Sequence, residues 1–127
     1  MFRRGLILVA IAACGGDDGM NTQVDARAVD AVASTVMEIG CPASPAGDVT
    51  VNLGGTAYVP MQTTIQVNGI VRFTMPADHN VVPNTLTTTD PGLTVPFNTT
   101  KCLRFTTAGT FGFNCGPHGF AGTIVVQ

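Results

Sequence analysis

Phe111-Gly-Phe-Asn-Cys115-Gly-Pro-His118-Gly-Phe-Ala-Gly-Thr-Ile-Val-Val-Gln127 decides how this chain is read. Phe111, Phe113 and Cys115 recur at period two, which places them on one face of a β-strand. Gly116-Pro117 breaks that strand, and His118 follows three residues after Cys115. Gly119 to Gly122 loosens the chain, and Thr123 to Val126 is β-prone again. One short loop between two strands therefore carries a thiol and an imidazole. A soft thiolate beside imidazole nitrogen suits copper or zinc.

The chain has only two histidines, and the other, His79, lies in Asp78-His79-Asn80-Val81-Val82. Strand signals precede it. Val36 to Ile39 forms a first strand or its approach, and Val49, Val51 and Leu53 alternate as a strand before the Gly54-Gly55 turn. Tyr58-Val59 leads to Pro60. Thr63 to Val67 and Ile70 to Met75 are strands joined by a hairpin-type Asn68-Gly69 turn. Val71, Phe73 and Met75 share a face, and Pro76-Ala77-Asp78 delivers His79. Residues 83–100 form a long threonine-rich segment with room for one short edge strand. Cys102 to Phe105 is a strand, which Ala108-Gly109 turns into the aromatic one. Short strands at this spacing imply an all-β sandwich.

Cys115-Gly-Pro-His118 after an aromatic strand, with His79-Asn80-Val81-Val82 upstream, resembles the cupredoxins, the plastocyanin/azurin-like blue copper proteins. The resemblance extends over residues 49–127. Gly55-Thr-Ala-Tyr58-Val-Pro60 with Thr64 to Phe73 resembles the family's opening strands, and Ala108-Gly-Thr-Phe111 the turn before its cysteine strand. It implies a Greek-key β-sandwich with one type 1 copper ion held at one end by His79, Cys115 and His118. Asn80 matches an asparagine that helps tie the two ligand loops together. The family's methionine after the second histidine is missing. Phe120 and Ala121 stand in that neighbourhood, and no methionine follows Met75. The backbone carbonyl of Asp78 is one candidate for a weak axial donor; Met61 or Met75 would need an unusual path. A site without a sulfur donor, shielded by Phe120, implies a raised reduction potential.

Four cysteines fit this picture in two ways. If Cys14 takes lipid and Cys115 holds metal, Cys41 and Cys102 remain as a disulfide. Alternatively, a two-residue turn at Ala108-Gly109 would set Cys102 and Cys115 across a hairpin and leave Cys41 alone. The family resemblance favours Cys41–Cys102, because there the two strands flanking this turn lie in different sheets.

The chain begins with a basic Arg3-Arg4 followed by a short apolar run from Gly5 to Ala13, which fits a cleavable signal peptide over residues 1–13. Ile11-Ala-Ala-Cys14 resembles a bacterial lipobox, with Cys14 as the lipidated first mature residue. Residues 14–35 read as a flexible tether and residues 36–127 as the domain. Export to the periplasmic or cell-surface side follows, lipid-anchored, with the outer membrane preferred because Gly16 is not an aspartate. Only 11% of residues are charged and the net charge is −2. No basic patch points to nucleic acid.

The resemblance implies a monomeric one-electron carrier, not an enzyme, that docks briefly near His118 with a redox donor and acceptor. Pro83, Pro117 and Phe120 would give His118 an apolar rim. A copper storage, delivery or sensing module, or a structural cupredoxin-like domain, are the alternatives. Three protein ligands would also suit zinc.

Overall fold

The computed structural model describes residues 34–86 and 90–127. The expected signal peptide, the expected lipidation site Cys14 and residues 14–33 of the expected tether lie outside the described residues. Nine strands run through the described part: β1 (Val36–Ile39), β2 (Gly47–Val51), β3 (Tyr58–Val59), β4 (Gln62–Ile65), β5 (Ile70–Met75), β6 (Val82–Pro83), β7 (Thr99–Phe105), β8 (Gly109–Asn114) and β9 (Ala121–Val126). They form a five-stranded sheet in the order β1-β7-β5-β2-β3 and a four-stranded sheet in the order β4-β9-β8-β6. The result is an all-β sandwich.

The core is written in the alternation of the inner faces. Val71, Phe73 and Met75 of β5 are buried, as are Leu103 and Phe105 of β7, facing Phe111 and Phe113 of β8 and Ile124 and Val126 of β9. Phe73 meets Phe113 edge to face with centroids 5.5 Å apart, joining the two sheets. The segment between β6 and β7 adds Leu93 and Val95, both buried, and an antiparallel bridge from Val81 to Val95 ties it down.

Two local readings differ from the structure. Leu53 does not continue β2: Asn52 closes a turn there. Its side-chain oxygen accepts the Thr56 amide at 2.8 Å, its carbonyl accepts the Gly55 amide, and Leu53 is left fully exposed. Asn68-Gly69 is a tight turn, with Asn68 at φ 75°, but it makes no hairpin. β4 pairs with β9 in one sheet and β5 with β2 and β7 in the other. Period-two alternation gives the face of a strand, not the sheet it joins. From β3 to β8 every connection crosses between the sheets. Hence β7 and β8 are not a hairpin. Cys102 is bonded to Cys41, 61 residues away, and Cys115 is a free thiol. In the chain-entropy view, closing so long a loop contributes about 4 kcal/mol.

β1 is an edge strand fastened at both ends. Cys41 lies just beyond its last residue. At its start, Asp90 accepts hydrogen bonds from the Ser34 hydroxyl (2.6 Å), the Thr35 amide (2.7 Å) and hydroxyl (2.8 Å), and the Gly92 amide (2.9 Å). A Cβ at Gly92 would collide with the Val36 carbonyl and the Ser34 hydroxyl, so only glycine lets the segment lie this close. Burial pushes the Asp90 carboxyl up, but these hydrogen bonds outweigh it and hold it below the ordinary carboxylate value. The native state therefore favours the ionised form. Its contribution is present above the unfolded value of about 4 and is lost as pH falls through the lower folded value. Asp90→Asn should lower stability by about 2 kcal/mol at pH 7 in urea unfolding, with the gap to wild type closing below about pH 4.

Candidate metal centre

β5 ends at Met75, and Pro76-Ala77-Asp78 turns the chain so that the His79 amide donates to the Pro76 carbonyl at 3.2 Å. His79 is 8% exposed. On the other sheet β8 ends at Asn114, and Cys115 follows with its side chain fully buried. The Cys115 amide donates to the Phe120 carbonyl (2.9 Å) and the Gly119 amide to the Cys115 carbonyl (2.7 Å), closing the loop that turns into β9. Gly119 sits at φ 78°, in the region that favours glycine. His118, at the tip of this loop, is exposed.

The structure brings together His79, Cys115 and His118. Their ligand atoms lie within 4.8 Å of one another. The Cys115 Sγ is 3.6 Å from His79 Nδ1 and 3.5 Å from His118 Nδ1. With metal–sulfur and metal–nitrogen bonds of about 2.3 and 2.0 Å, those separations correspond to angles of roughly 110° at a shared ion. The donor set is one soft sulfur and two imidazole nitrogens, and its two sulfur–nitrogen spacings fit one copper or zinc ion.

Asn80 joins the two ligand segments. Its side-chain oxygen accepts the Gly116 amide at 2.8 Å, one residue past Cys115. Its own backbone carbonyl accepts the Tyr58 hydroxyl at 2.6 Å. Phe120 is half-buried against the core. Its ring lies 5.5 Å from that of His79 and stacks near-parallel to His118 at 6.1 Å. The other residues of the axial neighbourhood sit differently. Ala121 opens β9 opposite Asn114 and is exposed, and Asp78 is exposed beside the site. Met61 is exposed, while Met75 is buried in the core.

Sequence reasoning passed over Tyr58 as part of the site. It is the chain's single tyrosine, 1% exposed, and it packs against Phe113 and Phe120 with centroids 4.7 and 4.8 Å away. A tyrosine in an apolar strand needs a partner for its hydroxyl, which is the signal that could have found it. Gly55 lies nearby at φ 71°, where a Cβ would come 3.2 Å from His79 Nε2.

Burial, and then the negative charge of Cys115, push the Tyr58 phenol well above its ordinary value. With a single tyrosine, titration at 295 nm is unambiguous. Phenolate absorption should be absent at pH 10–11 in the native protein and appear only with alkaline unfolding. Tyr58→Phe should lower stability by about 1 kcal/mol in urea unfolding through the lost hydrogen bond to Asn80.

No family model and no curated protein sequence matches this chain. Solved structures do. Amicyanin from Paracoccus versutus (Thiobacillus versutus) is 17% identical with a TM-score of 0.58, the match covering 75% of this chain and 100% of amicyanin. A Cu(I) form of a methionine-to-alanine amicyanin mutant is 22% identical with a TM-score of 0.60, covering 74% of this chain and 100% of that one. An oxidised proline-to-alanine mutant is 20% identical with the same TM-score and coverage. Likeness over the whole length of amicyanin, with nine strands in two sheets, settles the architecture: this chain has the cupredoxin fold.

Proposed function

We propose that this protein is a type 1 copper protein that carries one electron at a time between redox partners. The observation that carries the reading is the His79-Cys115-His118 cluster, with both Nδ1 atoms within 3.6 Å of the buried sulfur at one end of a cupredoxin sandwich. The amicyanin structures it resembles include oxidised and reduced Cu(I) forms. Copper, when bound, supplies the exchange between its +1 and +2 states.

The protein's own residues hold the ligands in place through that exchange. The Asn80 hydrogen bond to Gly116 fixes where the cysteine loop meets the histidine segment, and Tyr58 fixes the backbone of Asn80. Ligands held this way move little, so little reorganisation opposes the transfer. Phe120 packs its ring beside both imidazoles, 5.5 Å from His79 and 6.1 Å from His118. His118 is the exposed member of the cluster, so a partner approaches the centre most closely there. Pro117 and Phe97, beside it, supply an apolar landing surface.

Export supports the same reading. A Cys41–Cys102 disulfide suits an oxidising compartment, and the Arg3-Arg4 leader with Ile11-Ala-Ala-Cys14 suits a lipid anchor ahead of the domain, which would keep it among membrane-associated partners.

Copper(II) added to protein made in an oxidising compartment should give an intense thiolate-to-copper band and narrow hyperfine splitting, both lost in Cys115→Ala. A colourless protein would overturn the proposal. Because Ala121 offers no donor, the reduction potential should exceed that of a methionine-bearing cupredoxin. Ala121→Met should lower it, as measured by redox titration of the visible band.

A further inference from the structure

Four side-chain carboxylates lie among the described residues: Glu38, Asp48, Asp78 and Asp90. Three are engaged. Asp48 holds Arg72 at 2.6 Å, Glu38 lies 3.6 Å from Lys101, and Asp90 collects the hydrogen bonds that fasten β1. Asp78 has no ion pair or hydrogen bond among the described residues, and it is exposed. It lines an open groove of about 410 Å³ with Ala77, Phe97, Pro117 and His118. Phe97 is 46% exposed there and adds an aromatic face to the groove.

No cation of the described residues compensates Asp78. Arg72 is taken by Asp48, and the Lys101 amine donates to the Thr94 carbonyl beside Glu38. Arg104 pairs in register with Ile70, whereas the groove lies past Met75 at the other end of β5, about 16 Å along the strand. The groove thus presents an apolar floor, one exposed ligand edge and one unbalanced negative charge.

Building on the electron-carrier reading, we propose that Asp78 selects the partner: the protein face that docks on this groove is apolar and carries a lysine or arginine that pairs with Asp78. A second copy of this chain is a poor occupant, because a symmetric contact would set two Asp78 carboxylates against each other. An anionic surface is repelled in the same way. A charge at such a rim acts mainly on encounter rate and salt dependence, since the Debye length is about 8 Å at 0.15 M.

The test uses two redox-inert paramagnetic probes on the full-length protein, both Cu(I)-loaded and metal-free, read by broadening of backbone amide NMR signals. Tris(phenanthroline)chromium(III) is an apolar trication and hexacyanochromate(III) a trianion. The trication should broaden Ala77, Asp78, Phe97 and His118 most. Its affinity should fall about three- to tenfold in Asp78→Asn at low ionic strength, recover in Asp78→Glu, and fall similarly in wild type at 0.5 M salt. The trianion should leave those amides sharp. Broadening centred elsewhere, an unchanged affinity in Asp78→Asn, trianion binding at the same amides, or a dimer through this face in sedimentation would each overturn the proposal. If copper fails to bind, the electron-carrier reading falls, and the metal-free arm still reports whether the groove selects a cation.

Discussion

The hydrogen bond from the Gly116 amide to the Asn80 side chain is the constraint on which the rest of the site depends. His79 and Cys115 are 36 residues apart and leave opposite sheets of the sandwich. Strand pairing alone sets each of them only to within the play of the loop that follows its strand. Asn80 removes that play. Its side chain is fixed to the residue after the cysteine, and its backbone follows directly on His79. The Tyr58 hydroxyl then holds the Asn80 carbonyl from β3. One asparagine thus gathers three separate stretches of chain around the sulfur. Its amide oxygen is hydrogen-bonded, so part of the cost of placing a polar group there is offset.

The site and the core are continuous. Phe73 on β5 meets Phe113 on β8, Phe113 meets Tyr58, and Tyr58 meets Phe120, whose ring lies beside the imidazoles. The elements that bring the two ligand segments into register are therefore packed directly against the site. Close packing of this kind resists small displacements, because moving one ring requires moving its neighbours. Gly122 shows how tight the fit is: a Cβ there would come 2.6 Å from the Phe113 ring.

What was legible in the sequence was what repeats or what carries unusual chemistry. The period-two aromatic strand ending in Cys115, the Val71-Phe73-Met75 face, and the pair of histidines in a chain with no others all read directly from local pattern. What was not legible depends on contacts between distant residues. Leu53 alternates correctly with Val49 and Val51, yet Asn52 ends the strand by hydrogen bonds to Thr56 and Gly55 that no periodicity announces. Asn68-Gly69 has the composition of a hairpin turn, but Asn68 donates to the Phe105 carbonyl and Val67 to Gln127, so the chain steps from one sheet to the other. Tyr58 looked like an ordinary strand residue. Its hydroxyl acquires a role only because Asn80 is folded against it.

Charge placement completes the division of labour across the molecule. The domain has few ionised groups, and most of them are spent on holding the sandwich together. Asp90 fastens the start of β1, where an edge strand bonded only to β7 would otherwise fray, and the Cys41 disulfide secures its other end. Asp48 and Arg72 lie at register-paired positions on parallel β2 and β5. With these charges neutralised by each other or by hydrogen bonds, the groove beside His118 is left with the one carboxylate that nothing in the described fold uses. In a domain this sparing of charge, a single uncompensated carboxylate in an apolar setting carries more of the recognition than it would on a crowded surface, because no other carboxylate, lysine or arginine of the described residues lines the groove.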